Sequence, residues 1–504
     1  MFELVSNLGH GFSVALSPTN IMLCFVGALV GTLVGVLPGV GTVATIAMLI
    51  PLTYGLDPVG GLIMLAGIYY GAQYGGSTTS ILVNIPGEST SVITTLDGYQ
   101  MARNGQAGKA LGIAAIGSFI AGCFATLVVA GLALPLTKVA LMFGPAEYFA
   151  LMVVGLVFAV VLAQGPILKA LAMICLGLML SLIGSDIESG QPRMTFGVME
   201  LMDGLGFANL AIGMFGFAEI MRNLAFPSEE ERSVLKTKIK GLLPNMDDMK
   251  ASIGAILRGT GIGSVMGILP GGGAIVATFA AYSFEKKLSK NPSKFGRGAI
   301  QGVAAPESAN NAAAQTSFIP LLTLGIPSNA VMALMIGAMA VQGIIPGPQI
   351  ITRQPELFWG MISSMWIANL MLLIINLPLV TLWVQLLKVP YRLMFPSIMV
   401  FCCLGVYSIS FLPTDLMIAA LAGLFAYLLM RHNFELAPLL LGFILGPLME
   451  QNLRRAMLIS NGDATVFLTR PISACLLALA AFLLITSVMP HIRRSREKVF
   501  VADD

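Results

Sequence analysis

Nearly half of the charged residues of this chain fall in three short segments, 222–258, 285–297 and 493–504, and what lies between them is almost continuous apolar sequence. Such a chain cannot shield its apolar surface from water. Only 11% of its 504 residues are charged and 56% are hydrophobic, against about 25% charged in ordinary soluble domains. A bilayer removes the difficulty, because a helix of about 20 apolar residues spans it with every backbone group bonded internally. The sequence therefore predicts an all-α polytopic membrane protein with about ten to twelve transmembrane helices. It excludes a soluble enzyme, a disordered protein and a secreted disulfide scaffold. The formal net charge of +3 leaves no footprint for nucleic acid.

Smaller features fit this class. The six cysteines lie in apolar runs without metal-ligand spacing and read as small hydrophobes. No Lys or Arg precedes Arg103, so no Sec-type signal peptide is expected and the first apolar segment directs insertion. The linker 227–250 and the basic tail 491–504 are expected on the cytoplasmic side by the positive-inside rule.

A motif occurs twice. GALVGTLVGVLPGVG occupies 27–41, and GTGIGSVMGILPGGG occupies 259–273. Gly27, Gly31 and Gly35 precede Pro38 at the offsets at which Gly259, Gly263 and Gly267 precede Pro270. A looser second pair follows. Polar clusters at 75–91 and 305–330 each run into an Ile-Pro, Ile85-Pro86 and Ile326-Pro327, with a spacing nine residues longer in the second copy. The connector after the first Pro-Gly segment carries no basic residue, whereas its counterpart at 284–297 is strongly basic. After the Ile-Pro motifs the bias reverses, which is the pattern of an inverted-topology repeat.

The expected organisation is repeat 1 over 1–226, with a hairpin at about 20–55 and a broken helix at about 60–100. The cytoplasmic linker 227–250 then leads to repeat 2 over 251–490, with a hairpin at about 255–284 and a broken helix at about 298–345. Basic residues flank the second Pro-Gly segment on both sides. Arms of about 15 residues rise only about 22 Å, too short to cross. Re-entrant helical hairpins with tips at 38–41 and 270–273 are predicted, and the broken helices are discontinuous spans.

Two such tips meeting near the midplane offer unpaired backbone N–H groups and positive dipole ends to an anion. The substrate-binding candidates are Pro38, Gly39, Gly41 and Thr42 at the first tip and Gly271, Gly272 and Gly273 at the second. Ser77, Thr78, Thr79 and Asn84, and Ser308, Asn310 and Asn311, add polar groups. The coupling-ion candidates are the helix breaks at Pro86 and Pro327 with Ser317 and Ser328, and the intramembrane carboxylate Glu307. No metal site is expected beyond Na+ at those positions, and no cofactor. The GxxxG spacing is first of all a helix-packing pattern. Glu88, Asp97, Glu147, Asp415 and Glu450 read as interface residues, and the three histidines take no role. Gly39-x-Gly41-x-x-Ala44 imitates a dinucleotide fingerprint without its βαβ context, and no Walker A motif occurs. An ion gradient is the expected energy source.

These motifs resemble the large membrane subunit of the tripartite tricarboxylate transporter family. The resemblance is carried by VGVLPGVGTVATIAMLIPLTYGLDP (34–58), YYGAQYGGSTTSILVNIPGE (69–88), DGYQMARNGQAGKALG (97–112), FGRGAIQGVAAPESANNAAAQTSFIPLLTLGIP (295–327) and LLGFILGPLMEQNLRRAMLISNGD (440–463). It implies a bacterial inner-membrane secondary transporter that imports tricarboxylates such as citrate with Na+ or H+. The implied partners are a small membrane subunit of about four helices and a periplasmic substrate-binding protein. Gln301 stands where many relatives carry Glu, which predicts one carboxylate fewer near Glu307, and Ser328 stands where Gly is common. The rival readings are a carboxylate exporter or channel without a binding protein, and an intramembrane enzyme, for which no catalytic constellation is found.

Overall fold

The computed structural model describes residues 2–37, 41–163, 166–186, 189–225, 241–269, 273–387 and 391–488. Pro38, Gly39, Gly271 and Gly272, most of the linker and the basic tail lie outside the described residues. Among the described residues the fold is all-helical apart from one two-stranded ribbon, Gly184–Ser185 paired with Pro192–Arg193. Among the described residues six helices are long and apolar enough to cross a bilayer, and six shorter apolar helices accompany them. The protein is a multi-pass membrane protein.

Each motif copy opens a run of three helices. In the first, an outgoing arm Pro18–Val36, a return arm Thr42–Thr53 and a companion helix Pro58–Val83 follow one another. In the second they are Met246–Ile268, Gly273–Leu288 and Gln301–Thr316. Capping side chains mark the starts. Ser17 accepts the Asn20 N–H, Asp57 accepts the Val59 N–H, and Asn245 and Asp248 bond reciprocally. Proline at the first helical position, Pro18 and Pro58, needs no N–H partner there.

The second hairpin folds back on itself. Arg258 and Glu285 form a two-pronged ion pair at 2.6 and 2.9 Å, although a chain running straight on would separate them by about 40 Å. In the first unit, added Cβ atoms on Gly60 and Gly61, at the companion helix's start, would touch Asn20 and Thr53 side chains respectively. Both ends of that hairpin therefore lie together too. The second outgoing arm begins at Met246 rather than near residue 255, because the capping pair Asn245–Asp248 carries the helix through charged Asp247, Asp248 and Lys250. At 23 residues it is longer than the predicted arm of about 15. The return arm Thr42–Thr53, by contrast, rises only about 18 Å.

The glycine stripes explain how the units close. A Cβ on Gly27, Gly31 or Gly35 would run into the carbonyl oxygen of Met64, Ile68 or Ala72. One on Gly259, Gly263 or Gly267 would run into that of Ala305, Ala309 or Ala313. In each unit the outgoing arm thus lies parallel to its companion, backbone against backbone, which only glycine permits. The partner residues are offset nine positions further in the second copy, the difference seen between the Ile-Pro spacings. Both companion segments then break at a left-handed residue immediately before that Ile-Pro. Asn84 has φ 62° and Gly325 φ 72°.

The remaining helices buttress this pair. Pro355–Asn376 carries the fully buried Trp359 and packs against Phe2–Ala15 and the first unit. Pro145–Leu162, Ile167–Ser181, Leu436–Ile459 and Pro471–Val488 form a flanking layer. Its acidic residues are ion-paired. Glu147 meets Arg470, and Glu450 meets Arg193 and Arg454, which also hold Asp186.

Candidate functional site

The two companion helices meet at the centre of the fold, running in opposite senses. Tyr70 packs edge-on to Phe318, and Tyr69 lies beside Ser317, whereas further along the first helix Ser77 reaches back to Glu307. Two polar clusters occupy this crossing.

The first gathers around Tyr69 and Glu88. Glu88 accepts hydrogen bonds from Thr42 Oγ1, at 2.6 Å, and from Thr90 Oγ1. Asn310 lies against Glu88, and Gln73, Ser317 and Asn329 lie against Tyr69. Glu88 and Asn329 stand three residues past Ile85 and Ile326 respectively, so each copy places its capping residue at the same offset. Asn329 caps Ala330–Val341 by accepting the Met332 N–H at 2.9 Å. The side chains of Gln73 and Asn310 are fully buried, yet neither amide atom of either has a hydrogen-bond partner. A buried amide without a partner costs about 1–3 kcal/mol. Here two such amides, one from each unit, lie in the same cluster, Asn310 against Glu88 and Gln73 against Tyr69.

The second cluster holds Glu307, which is 1% exposed. Ser77 Oγ donates to one carboxylate oxygen at 2.5 Å and Thr94 Oγ1 to the other. Asn311 Nδ2 donates to the Glu307 carbonyl at 3.1 Å and to Ser118 Oγ at 2.7 Å. No Lys or Arg among the described residues pairs with Glu307 or Glu88.

The remaining candidates sort by what they touch. Thr79 Oγ1 donates to Val36 and Gly75 carbonyls, so it ties the companion helix to the end of the outgoing arm. Thr78 Oγ1 donates to the Tyr74 carbonyl, and Ser308 Oγ has no partner. Ser317 and Ser328 meet each other, Ser328 Oγ donating to the Ser317 carbonyl at 3.3 Å, and not Glu307. Pro86 and Pro327 stand just past the two left-handed breaks, and Asn84 forms the first of them. Gly41 has open space where a side chain would sit, whereas a Cβ on Gly273 would strike the Met266 carbonyl. Packing alone therefore accounts for glycine at 273.

One expectation needs correction. Gln301 is not part of the Glu307 cluster. It sits at the start of its helix and donates to the Ala251 carbonyl at 3.2 Å, six residues and nearly two turns from Glu307.

Sequence reasoning also missed a clasp. Asp97 is fully buried. Its Oδ1 accepts the backbone N–H groups of Gly296, Gly298 and Ala299 at 2.7–2.9 Å, and its Oδ2 accepts the Tyr282 hydroxyl at 2.9 Å. Positive φ at Gly296 (83°) and Gly298 (101°) turns those amides inward. The available signal was the glycine pair in FGRGA beside a lone carboxylate in an apolar stretch. Thr94, Gln73 and Asn376 carried no local signal.

A protein of Agrobacterium vitis described as an uncharacterized 52.8 kDa protein in the TAR-I ttuC' 3' region is 58% identical over 504 residues, the full length of both chains. A second from the same organism, described as an uncharacterized protein in the TAR-II ttuC' 3' region, is 61% identical over 242 residues, covering 48% of this chain and all of its own. No solved structure matches. The tripartite tricarboxylate transporter TctA family matches residues 21–441, almost the whole membrane region, and the chain belongs to that family, the large subunit of the tripartite system.

Proposed function

We propose that this subunit imports tricarboxylates or related carboxylates across the bacterial inner membrane, driven by a Na+ or H+ gradient. Its partners are a small membrane subunit of about four helices and a periplasmic binding protein that delivers the substrate. The two units act as inverted repeats whose hairpins enter from opposite leaflets, with the carboxyl-terminal tail cytoplasmic, and the site between them alternates in access.

One observation carries this reading. Fully buried amides and a hydroxyl from the two units converge on one cluster, Thr42 and Asn310 at Glu88 and Gln73 at the neighbouring Tyr69. Amide and hydroxyl donors that hold a protein carboxylate are the chemistry that receives a substrate carboxylate. Basic side chains are scarce there, so the negative charge is met by N–H groups, hydroxyls and helix N-termini.

Radiolabelled citrate uptake into vesicles reconstituted with the tripartite system tests it, with sodium and pH gradients imposed separately. One gradient is expected to drive accumulation, and omitting the binding protein to abolish it. Uptake that responds to neither gradient, or that needs no binding protein, favours a channel or exporter. Gly41→Leu fits the open space beside Gly41, whose φ of −69° suits any residue. It is expected to leave the melting temperature unchanged and to cut uptake about tenfold or more by blocking access to the tip amides. Undiminished uptake in this variant contradicts the tip site.

A further inference from the structure

A small cavity lies beside Glu307, apart from the Tyr69–Glu88 cluster. Its polar lining comes from Tyr74, Ser77, Thr78, Ser118, Glu307 and Asn376. Its volume is about 20 Å³. That is room for one water or one desolvated ion, and far below the hundreds of Å³ that an organic ligand needs. Substrate is therefore not its occupant.

The donor set has one character: oxygen. Glu307 contributes a carboxylate, and Ser77, Thr78 and Ser118 contribute hydroxyls. Asn376 comes from another helix, Pro355–Asn376, and is 6% exposed. Its Nδ2 is spent on the Leu372 carbonyl at 2.8 Å. Its Oδ1 is buried with no hydrogen-bond partner. An amide oxygen left bare in a cavity that a buried carboxylate also lines has no place in a site meant only to hold Glu307, because both groups are acceptors and neither satisfies the other. A positively charged occupant satisfies both. Hard monovalent and divalent cations take oxygen ligands of this kind. A single carboxylate against several neutral oxygens balances one positive charge rather than two, and among the described residues no basic side chain lines the cavity.

We infer that this cavity is a monovalent cation site, for Na+, in which Asn376 Oδ1 and the Glu307 carboxylate are ligands and Ser77 and Ser118 complete the shell. It joins both units, Ser77 from the first and Glu307 from the second, to the helix Pro355–Asn376. Occupancy would therefore tighten the crossing of the companion helices, which links ion binding to the geometry of the neighbouring amide cluster. The inference deepens the transporter reading and rests on it only for the consequence, since ion binding is measured without substrate.

The test is 22Na+ binding to the purified full chain in detergent, with no carboxylate present. Wild type is expected to bind saturably, with competition by Li+ and a sodium-dependent rise in melting temperature. Asn376→Leu keeps the volume and removes the oxygen, and it is expected to weaken binding about tenfold. Glu307→Gln is expected to weaken it about 100-fold, in line with the loss of a charged ligand. Asn376→Asp keeps the oxygen and adds charge. It is expected to retain or tighten sodium binding, so it decides the matter if Asn376→Leu does not fold. The site is overturned if wild type binds no Na+, as a water-filled or proton-only cavity would behave. It is also overturned if binding is unchanged in Glu307→Gln and Asn376→Leu, or if Asn376→Asp loses it. Sodium-driven uptake with unchanged 22Na+ binding in the variants would remove this site while leaving the transporter reading intact.

Discussion

Replacing Gly31 or Gly263 with Val is expected to destabilise the folded protein strongly. A side chain at either position meets the carbonyl oxygen of the companion helix, Ile68 or Ala309, with no room to move aside. The outgoing arm would have to lift off by about 1 Å, and the neighbouring glycines, packed in the same way, would lose their contacts with it. Overpacking a tight core costs about 1–3 kcal/mol, and losing contacts along a whole stripe adds to that. The expected result is a large fall in monodisperse protein and a strongly lowered melting temperature. Gly131, with nothing within 4 Å of its added Cβ, is the control. Gly131→Ala is expected to be neutral or stabilising by about 0.5–1 kcal/mol through helix propensity. Equal behaviour of Gly31→Val and Gly131→Ala would contradict the backbone-to-backbone packing.

Asp97→Ala is the second large effect. The carboxylate gathers three backbone N–H groups and one phenolic hydroxyl inside the protein. Its removal leaves four donors without their acceptor, of which the Ala299 N–H and the Tyr282 hydroxyl are buried, at a cost of about 1–3 kcal/mol for each buried one. Asp97→Asn keeps the shape and one acceptor oxygen, so about 1–3 kcal/mol is expected. The clasp holds the chain leading into Gln301–Thr316 against Val92–Met101, so the loss should appear first as proteolytic cleavage near residues 291–298. A pair of variants as stable as wild type would show that the clasp contributes nothing.

The parts of this architecture that were legible in the sequence are those with a local signature. Glycines four apart announce a close helix contact, and their repetition before two prolines announced two copies. The nine-residue difference between the Ile-Pro spacings reappears in the offset between Gly31–Ile68 and Gly263–Ala309. Glu307 stood out as a carboxylate in a neutral stretch, and it does lie at the crossing. What stayed hidden depends on partners far apart in the chain. Thr94 meets Glu307 across 213 residues and Asp97 meets Gly298 across 201, and the local sequence does not say which distant partner either one meets. Gln73 resembles any polar residue among glycines until its burial without a partner is seen. The start of the second outgoing arm was misplaced because its capping residues belong to a charged stretch that reads as linker.

The proposed transport site requires that an anion sit where the two units cross. A cryo-electron microscopy map of the full chain with citrate and sodium, resolved well enough to place side chains, decides it. The account expects non-protein density bounded by Thr42, Gln73 and Asn310, close to the Gly41 amide. Citrate bound elsewhere, with Gln73 and Asn310 sealed between helices and no space beside Gly41, would contradict it.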